Sequence, residues 1–278
     1  MYSAITNDTF HYIATLAEFK KNFPDVSWVK ITTITMISKL GMSIDVAFIR
    51  KAFREIGDVY ISAKGTKGDG FKWTLKDTTF YNQVTLNYTD DYSTKSIKLF
   101  PNGSIQVAGC TDLLDCNRVI RQLTSLLRLF INKDLVARGF QVVMINSNFS
   151  LNYKLNLHEV ATHFAKNEIF DVSFDPDRYS AVKIKFKPAE DAKRVTVSIF
   201  STGKIIVTGA ETLKEIVFSY NIINHHININ PKIKVEKSDV HDVFDEIFGY
   251  KFDDILSFIH KNNWAPWRFT KTNYKINF

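Results

Sequence analysis

Cysteine is nearly missing from this chain: its 278 residues hold two, Cys110 and Cys116. Two thiols cannot build a disulfide framework, and their spacing fits neither a redox pair nor a zinc knuckle, so a small disulfide scaffold is excluded and a reducing compartment is expected. Long apolar runs are missing too. No stretch approaches the roughly 18 apolar residues of a membrane span, and Met1 to Asp8 carry neither the basic start nor the apolar core of a leader. A soluble intracellular protein with no membrane attachment is expected. No Ser/His/Asp or Cys/His arrangement is legible, which argues against an enzyme and against any cofactor. Excess charge is small, 36 basic against 29 acidic residues for a net +7, too mild to decide a partner. The 45% apolar and 23% charged content is that of a globular chain, not a disordered or fibrous one, and its length allows one large domain or two small ones.

Other weak signals stay bland. The glycine-rich run from Lys64 to Gly70 lacks the order of a phosphate-binding loop and a following helix, so it reads as a turn. His158 and His163 miss the i, i+4 spacing of a metal pair, and His225 and His226 are adjacent without a cysteine or acidic partner, so no metal is expected. Asp239, Asp242, Asp245, Glu246, Asp253 and Asp254 read as solvated helix faces.

What the chain does contain is an internal repeat. Phe100, Gly103, Ile105, Val107 and Gly109 recur as Phe200, Gly203, Ile205, Val207 and Gly209, at a constant offset of 100 residues. Each copy alternates apolar and other residues on both sides of a glycine turn, the pattern of a hairpin of half-buried strands. A helix follows each. Leu113, Leu114, Val119, Ile120, Leu123, Leu126 and Leu127 mark the first, with Thr111 as its cap, and Leu213, Ile216, Val217, Tyr220 and Ile223 mark the second. Upstream, strands at 28–40, 57–64 and 81–89 with a helix at 45–55 correspond to strands at 140–153, 169–174 and 180–187 with a helix at 156–167.

Each repeat is thus strand, helix, four strands, helix. The expected fold is α+β: a pseudo-twofold saddle of two repeats, with a curved antiparallel sheet and helices on its convex face. The expected organisation is an N-terminal extension at 1–27, a first repeat at 28–130, a second at 139–230 and a helical C-terminal extension at 231–278. In the last, Ser238 caps a helix with Val240, Val243, Phe244 and Ile247; Phe252, Ile255, Leu256 and Ile259 mark another.

The two-residue side-chain period separates the faces. Val182, Ile184, Phe186, Val195, Val197, Ile199, Ile205 and Val207 point toward the helices. Asn146, Asn148, Tyr179, Ala181, Lys183, Lys185, Thr196, Ser198, Phe200, Lys204, Ile206 and Thr208 point away. In the first repeat Tyr81, Gln83, Thr85, Asn87, Lys98, Phe100, Ser104, Gln106 and Ala108 do the same. The outer face is therefore polar and basic, with an aromatic pair in each repeat, Tyr81 with Phe100 and Tyr179 with Phe200. Rings flanked by ammonium and amide groups suit the minor groove of duplex DNA: the ring replaces lost stacking, the amide reaches groove acceptors, and the lysine neutralises phosphate. The competing occupant of such a face is a partner protein.

Ser201–Ala210, STGKIIVTGA, and Phe174–Tyr179, FDPDRY, resemble the hairpin and stirrup of the TATA-binding protein family. The resemblance spans residues 28 to 230 and is sharper in the second repeat. It implies minor-groove kinking, with Tyr81, Phe100, Tyr179 and Phe200 as wedges, Asn146 as the central amide, Thr208 as a groove hydroxyl, and Lys204 and Lys185 as phosphate contacts. Lys98, Gln106, Asn148, Lys183 and Ile206 complete the implied DNA face. Asp175 and Asp177 match the two glutamates with which that family's second stirrup docks transcription factor IIB. Thr33, Ala108 and Ser104 depart from the family pattern in the first repeat, and Ile61 to Tyr81 carries an insert with Lys64, Lys67, Phe71, Lys72, Trp73 and Lys76.

With 27 lysines against 9 arginines, an AT-rich coding signature, and the C-terminal extension, the chain is similar to the TATA-binding-like proteins of large DNA viruses. The resemblance implies a promoter-binding transcription initiation factor, a monomer on double-stranded DNA, that recruits a factor IIB-like protein and RNA polymerase machinery in a viral factory in the host cytoplasm, in the nucleus or in the virion. The alternatives are a protein-interaction adaptor that keeps the fold with little DNA binding, and the fold's use as a lesser domain beside DNA glycosylases or ribonucleases H.

Overall fold

The computed structural model describes residues 7–62, 70–78, 80–91, 93–238, 241–266, 268–269 and 276–277. The chain divides into two compact units, a first of residues 33–143 and a second of residues 1–32 with 144–278.

The first unit begins on β1 (Lys30–Lys39), continues through α2 (Val46–Ile56), β2 (Val59–Ser62), β3 (Gly70–Lys76), β4 (Val84–Thr89), β5 (Thr94–Leu99) and β6 (Ser104–Cys110), and ends on α3 (Leu113–Arg128). Its strands are antiparallel in the order β2-β3-β4-β5-β6-β1. Alternation buries Ile97, Leu99, Ile105 and Val107 completely against the helices, where Ile49, Phe53, Val119, Ile120 and Leu123 meet them. Asp45 caps α2 by accepting from Ala47 and Phe48 N–H. The cap of α3 is Asp112, whose carboxylate accepts from Asp115 N–H at 2.7 Å, and not Thr111, because the helix opens at Leu113 and the residue just before it caps.

The described part of the insert, Gly70–Lys76, is a strand, and the turn expected from Lys64 to Gly70 lies almost wholly outside the described residues. β3 pairs with β4 and β2, and its Trp73 is fully buried, 4.9 Å from the ring of Tyr88 at 67°. Lys64 and Lys67 lie outside the described residues. Under β5 sits a buried charge cluster: Lys95 Nζ lies 2.9 Å from Asp90 and 3.1 Å from Asp115, and Arg118 bridges both carboxylates. Burial raises the Tyr88 phenol to about 12 at the same place.

The second unit contains β7 (Arg138–Ser150) from Met144 on, β8 (Tyr153–Leu155), α4 (Leu157–Ala165), β9 (Asp171–Ser173), β10 (Ala181–Phe186), β11 (Val195–Phe200), β12 (Lys204–Ala210) and α5 (Leu213–Asn228). The strand order β7-β12-β11-β10-β9 repeats that of the first unit without the added strand. Gly103 and Gly203 turn the two hairpins at φ +76° and +81°, and a Cβ on either would lie 2.0 or 2.1 Å from a carbonyl oxygen, of Met42 or Tyr153. That contact and the left-handed backbone explain why the repeat keeps glycine there.

Helix α5 is buried nearly all round because a further helix covers it. α1 (Asn7–Asn22) packs on α5, and Tyr12 at that contact is raised to about 12, mainly by burial. The C-terminal extension is less helical than expected. β13 (Lys234–Lys237) pairs with β8, β14 (Glu246–Ile247) with β15 (Tyr250–Lys251), and α6 (Phe252–Lys261) carries the expected Phe252, Ile255 and Ile259 inward. The helix expected after Ser238 is absent over the described residues 241–247. Phe244 and Phe248 have φ of +53° and +54°, which no right-handed helix contains, and Ser238 N–H donates to Asn152 O instead of opening a helix. Asp239 and Val240 lie outside the described residues. Among the described residues no helix is long and apolar enough to cross a membrane, and no group of three metal-binding side chains is gathered.

Candidate nucleic-acid interface

Strand register places the expected residues of the second unit in rows across the face away from α4 and α5. Asn148 stands opposite Ile206, Ile206 opposite Ser198, and Ser198 opposite Lys183. One step along, Thr208 faces Thr196 and Thr196 faces Lys185. A third pairing sets Phe200 opposite Ala181. The rows run amide, branched apolar, hydroxyl, ammonium, which is the mixture a groove floor and its phosphate edge require.

The aromatic pair closes the end of these rows. Tyr179 and Phe200 lie 5.9 Å apart at 66°, and Lys183 Nζ is 4.1 Å from the centre of the Tyr179 ring. Tyr179 keeps 40% exposure. Lys185 and Lys204 are exposed, Thr208 and Ile206 half-buried. Asn146 O accepts from Thr32 Oγ1 at 3.0 Å. The Asn148 side-chain oxygen is buried with no hydrogen-bond partner among the described residues, an acceptor whose cost a ligand or water must offset. Two small residues expected on the open face are covered: Ala181 and Ser198 are buried, Ala181 beside the Tyr179 loop in a cavity of about 360 Å³ that it lines with Asp175, Arg178 and Lys183. Asp175 and Asp177 are exposed, and Asp175 O accepts from Arg178 and Tyr179 N–H, so the segment is a tight turn that presents both carboxylates and the Tyr179 ring.

In the first unit Ile37, Gln106, Lys98 and Thr85 form one row, and β3 extends it with Lys76 opposite Thr85. Thr85, expected to be open, is buried and accepts from Gln83 Nε2 at 3.1 Å. Ser104 and Ala108 take the places that Lys204 and Thr208 hold in the second unit, so the face is less basic there. Tyr81 is 85% exposed and Phe100 half-buried.

Two residues at the site, Arg50 and Phe244, had no signal in the sequence for that place. Arg50 on α2 donates from one guanidinium nitrogen toward the carbonyls of Phe80, Tyr81 and Gln83, at 3.3, 3.2 and 2.7 Å, and so anchors the Tyr81 loop. Its targets are backbone atoms some thirty residues away, which no periodicity reveals. In the second unit Phe244 lines a cavity of about 240 Å³ with Asn148, Phe149, Phe200, Thr202, Lys204 and Ile206. The apolar spacing had placed Phe244 on a helix.

The chain has counterparts among known proteins. Residues 139–228 match the family model "Transcription factor TFIID (or TATA-binding protein, TBP)". A "TATA-box-binding protein-like" protein of Acanthamoeba polyphaga mimivirus is 30% identical over 253 residues, covering 77% of this chain and 68% of that protein. The chain belongs to the TATA-binding protein family. The solved structure of Methanococcus jannaschii TBP superposes with a TM-score of 0.51 over 73% of this chain and 99% of its own, at 15% identity, which establishes the shared fold. As a TATA-binding protein relative it is divergent: the matched family segment lies in the second repeat, where STGKIIVTGA stands.

Proposed function

We propose that this chain is a non-enzymatic transcription initiation factor that binds promoter DNA through the minor groove and bends it. The reading rests on one observation above the others: in the second unit the exposed Tyr179 and the half-buried Phe200 pair at the end of rows that carry Asn148, Thr208, Lys183 and Lys185, with exposed Lys204 on the same sheet face. Family membership and the printed name of the mimivirus relative support it. The rings would enter a base step, the amides and hydroxyl would face groove acceptors, and the lysines would meet phosphates. The exposed Asp175 and Asp177 would meet a basic protein surface, since carboxylates beside phosphate would be repelled; a factor IIB-like protein is the proposed partner.

A second reading is favoured by the first unit, where Ser104 and Ala108 replace cation and hydroxyl: an adaptor of the same fold that binds proteins and little DNA. Duplex binding across a salt series separates the two. The promoter-binding reading expects log affinity to fall linearly with log salt, and expects Tyr179→Ala with Phe200→Ala to weaken binding by about 2–4 kcal/mol and abolish bending in a fluorescence-transfer assay. The adaptor reading expects no salt-dependent duplex binding.

A further inference from the structure

Residues 242–244 reach the edge of the second unit's open face and are tied down beside it. Asn152 grips Asp242 at both backbone groups, its Nδ2 donating to Asp242 O at 3.2 Å and its Oδ1 accepting from Asp242 N–H at 3.0 Å. Trp28 N–H donates to Val243 O at 3.2 Å. From this tether two side chains reach the residues of the proposed DNA face. Asp242 Oδ2 is 4.0 Å from Lys204 Nζ, and the Phe244 ring shares a cavity of about 240 Å³ with Phe200, Ile206 and Asn148. Lys30 Nζ lies 5.7 Å from the centre of that ring. Phe244 is at φ +53°, a conformation a bulky side chain holds only when its surroundings impose it.

We infer that this acidic and aromatic segment is a built-in competitor for the duplex on the second unit. The inference rests on the promoter-binding reading. Asp242 puts a carboxylate where a phosphate would approach Lys204, and Phe244 puts a ring beside the wedge Phe200, where a base step would lie. The Asp242–Lys204 contact is long and Lys204 is 64% exposed, so the pair alone is weak. Tethering compensates, because a segment on the same chain acts at a high effective concentration. A duplex must displace Phe244 and bring phosphate past Asp242, so the segment sets a threshold that weak, purely electrostatic binding to arbitrary duplex does not pass.

The test uses the full chain with Asp242→Asn and Phe244→Ala made separately, and duplexes chosen by selection from a random pool. Both variants should bind more tightly than the unmodified chain, Asp242→Asn by about threefold to tenfold at low salt, with the gap closing as salt rises. Asp242→Asn keeps the side-chain volume and the backbone bonds to Asn152, so it should melt with the parent. In a second measurement, an environment-sensitive dye attached through Val243→Cys, at an exposed position, should report release of the segment when duplex is added; Cys110 and Cys116 are buried and would not take the label. Equal or weaker binding by either variant, or an unchanged dye signal on saturation with duplex, overturns the competitor while leaving promoter binding intact. Absence of duplex binding by the parent and both variants overturns the promoter-binding reading and the competitor with it.

Discussion

His226 and His163 lie 63 residues apart in sequence, yet their ring nitrogens are 3.3 Å apart where α5 meets α4. The rings of Phe164 and Phe170 stand 5.2 and 5.0 Å from His226, and Asn230 Nδ2 is 3.4 Å from the far nitrogen of His163. Burial first, and then the neighbouring His163 and His225, lower His226 from its ordinary 6.5 to about 4. His163 is lowered too, by burial and by Lys166. A histidine held neutral in the folded state binds fewer protons than the unfolded chain, so its contribution is fully present above pH 6.5 and is lost as pH falls toward 4. Thermal melts from pH 7 to 4 should therefore show falling stability, and His226→Gln should flatten that slope; an equal slope in the variant would assign the acid sensitivity elsewhere. Spacing alone had shown only that these histidines do not make a metal pair within one helix. The contact between helices depends on how α4 and α5 pack.

At the scale of elements, the insert is the clearest case of a strand that periodicity missed. Gly70–Lys76 alternates poorly, with one position, Trp73, fully buried. It became a strand because it completes pairing on the outer side of β4, where Tyr88 gives the indole a partner. Removing that ring leaves a large cavity and strips the edge of β4. Trp73→Ala should cost about 3–5 kcal/mol in chemical denaturation, with the earliest loss of hydrogen-exchange protection over 84–89. A cost within the range of a surface substitution would mean that β3 is an ornament on the unit. The helix expected at 238–247 failed for the complementary reason. Its apolar residues recur at helical spacing, but the hydrogen bonds of Asn152 and Trp28 draw the segment out onto the sheet face, and tertiary bonds outweighed local propensity.

On the scale of the whole molecule, the proposed protein partner bears on the exposed turn that carries Asp175 and Asp177. If Asp175 and Asp177 serve a basic protein surface, Asp175→Lys with Asp177→Lys should abolish recruitment of a factor IIB-like protein while duplex binding stays equal or tightens. A normal ternary complex in native gels would reduce the stirrup to a Pro-Asp turn.

The repeat, the two hairpins, their glycines and the apolar sets of each strand were legible in the sequence because a two-residue period and a left-handed turn are local constraints, written within a few residues of each other. So was the likeness carried by Ser201–Ala210 and Phe174–Tyr179. What only the tertiary structure decided were contacts between segments far apart in the chain: Arg50 on the Tyr81 loop, α1 over α5, Trp73 beside Tyr88, and Phe244 beside Phe200. Such contacts depend on where a side chain ends up after the strands have paired, and hydrophobic period cannot carry that, since it records which face of an element is buried and not what buries it.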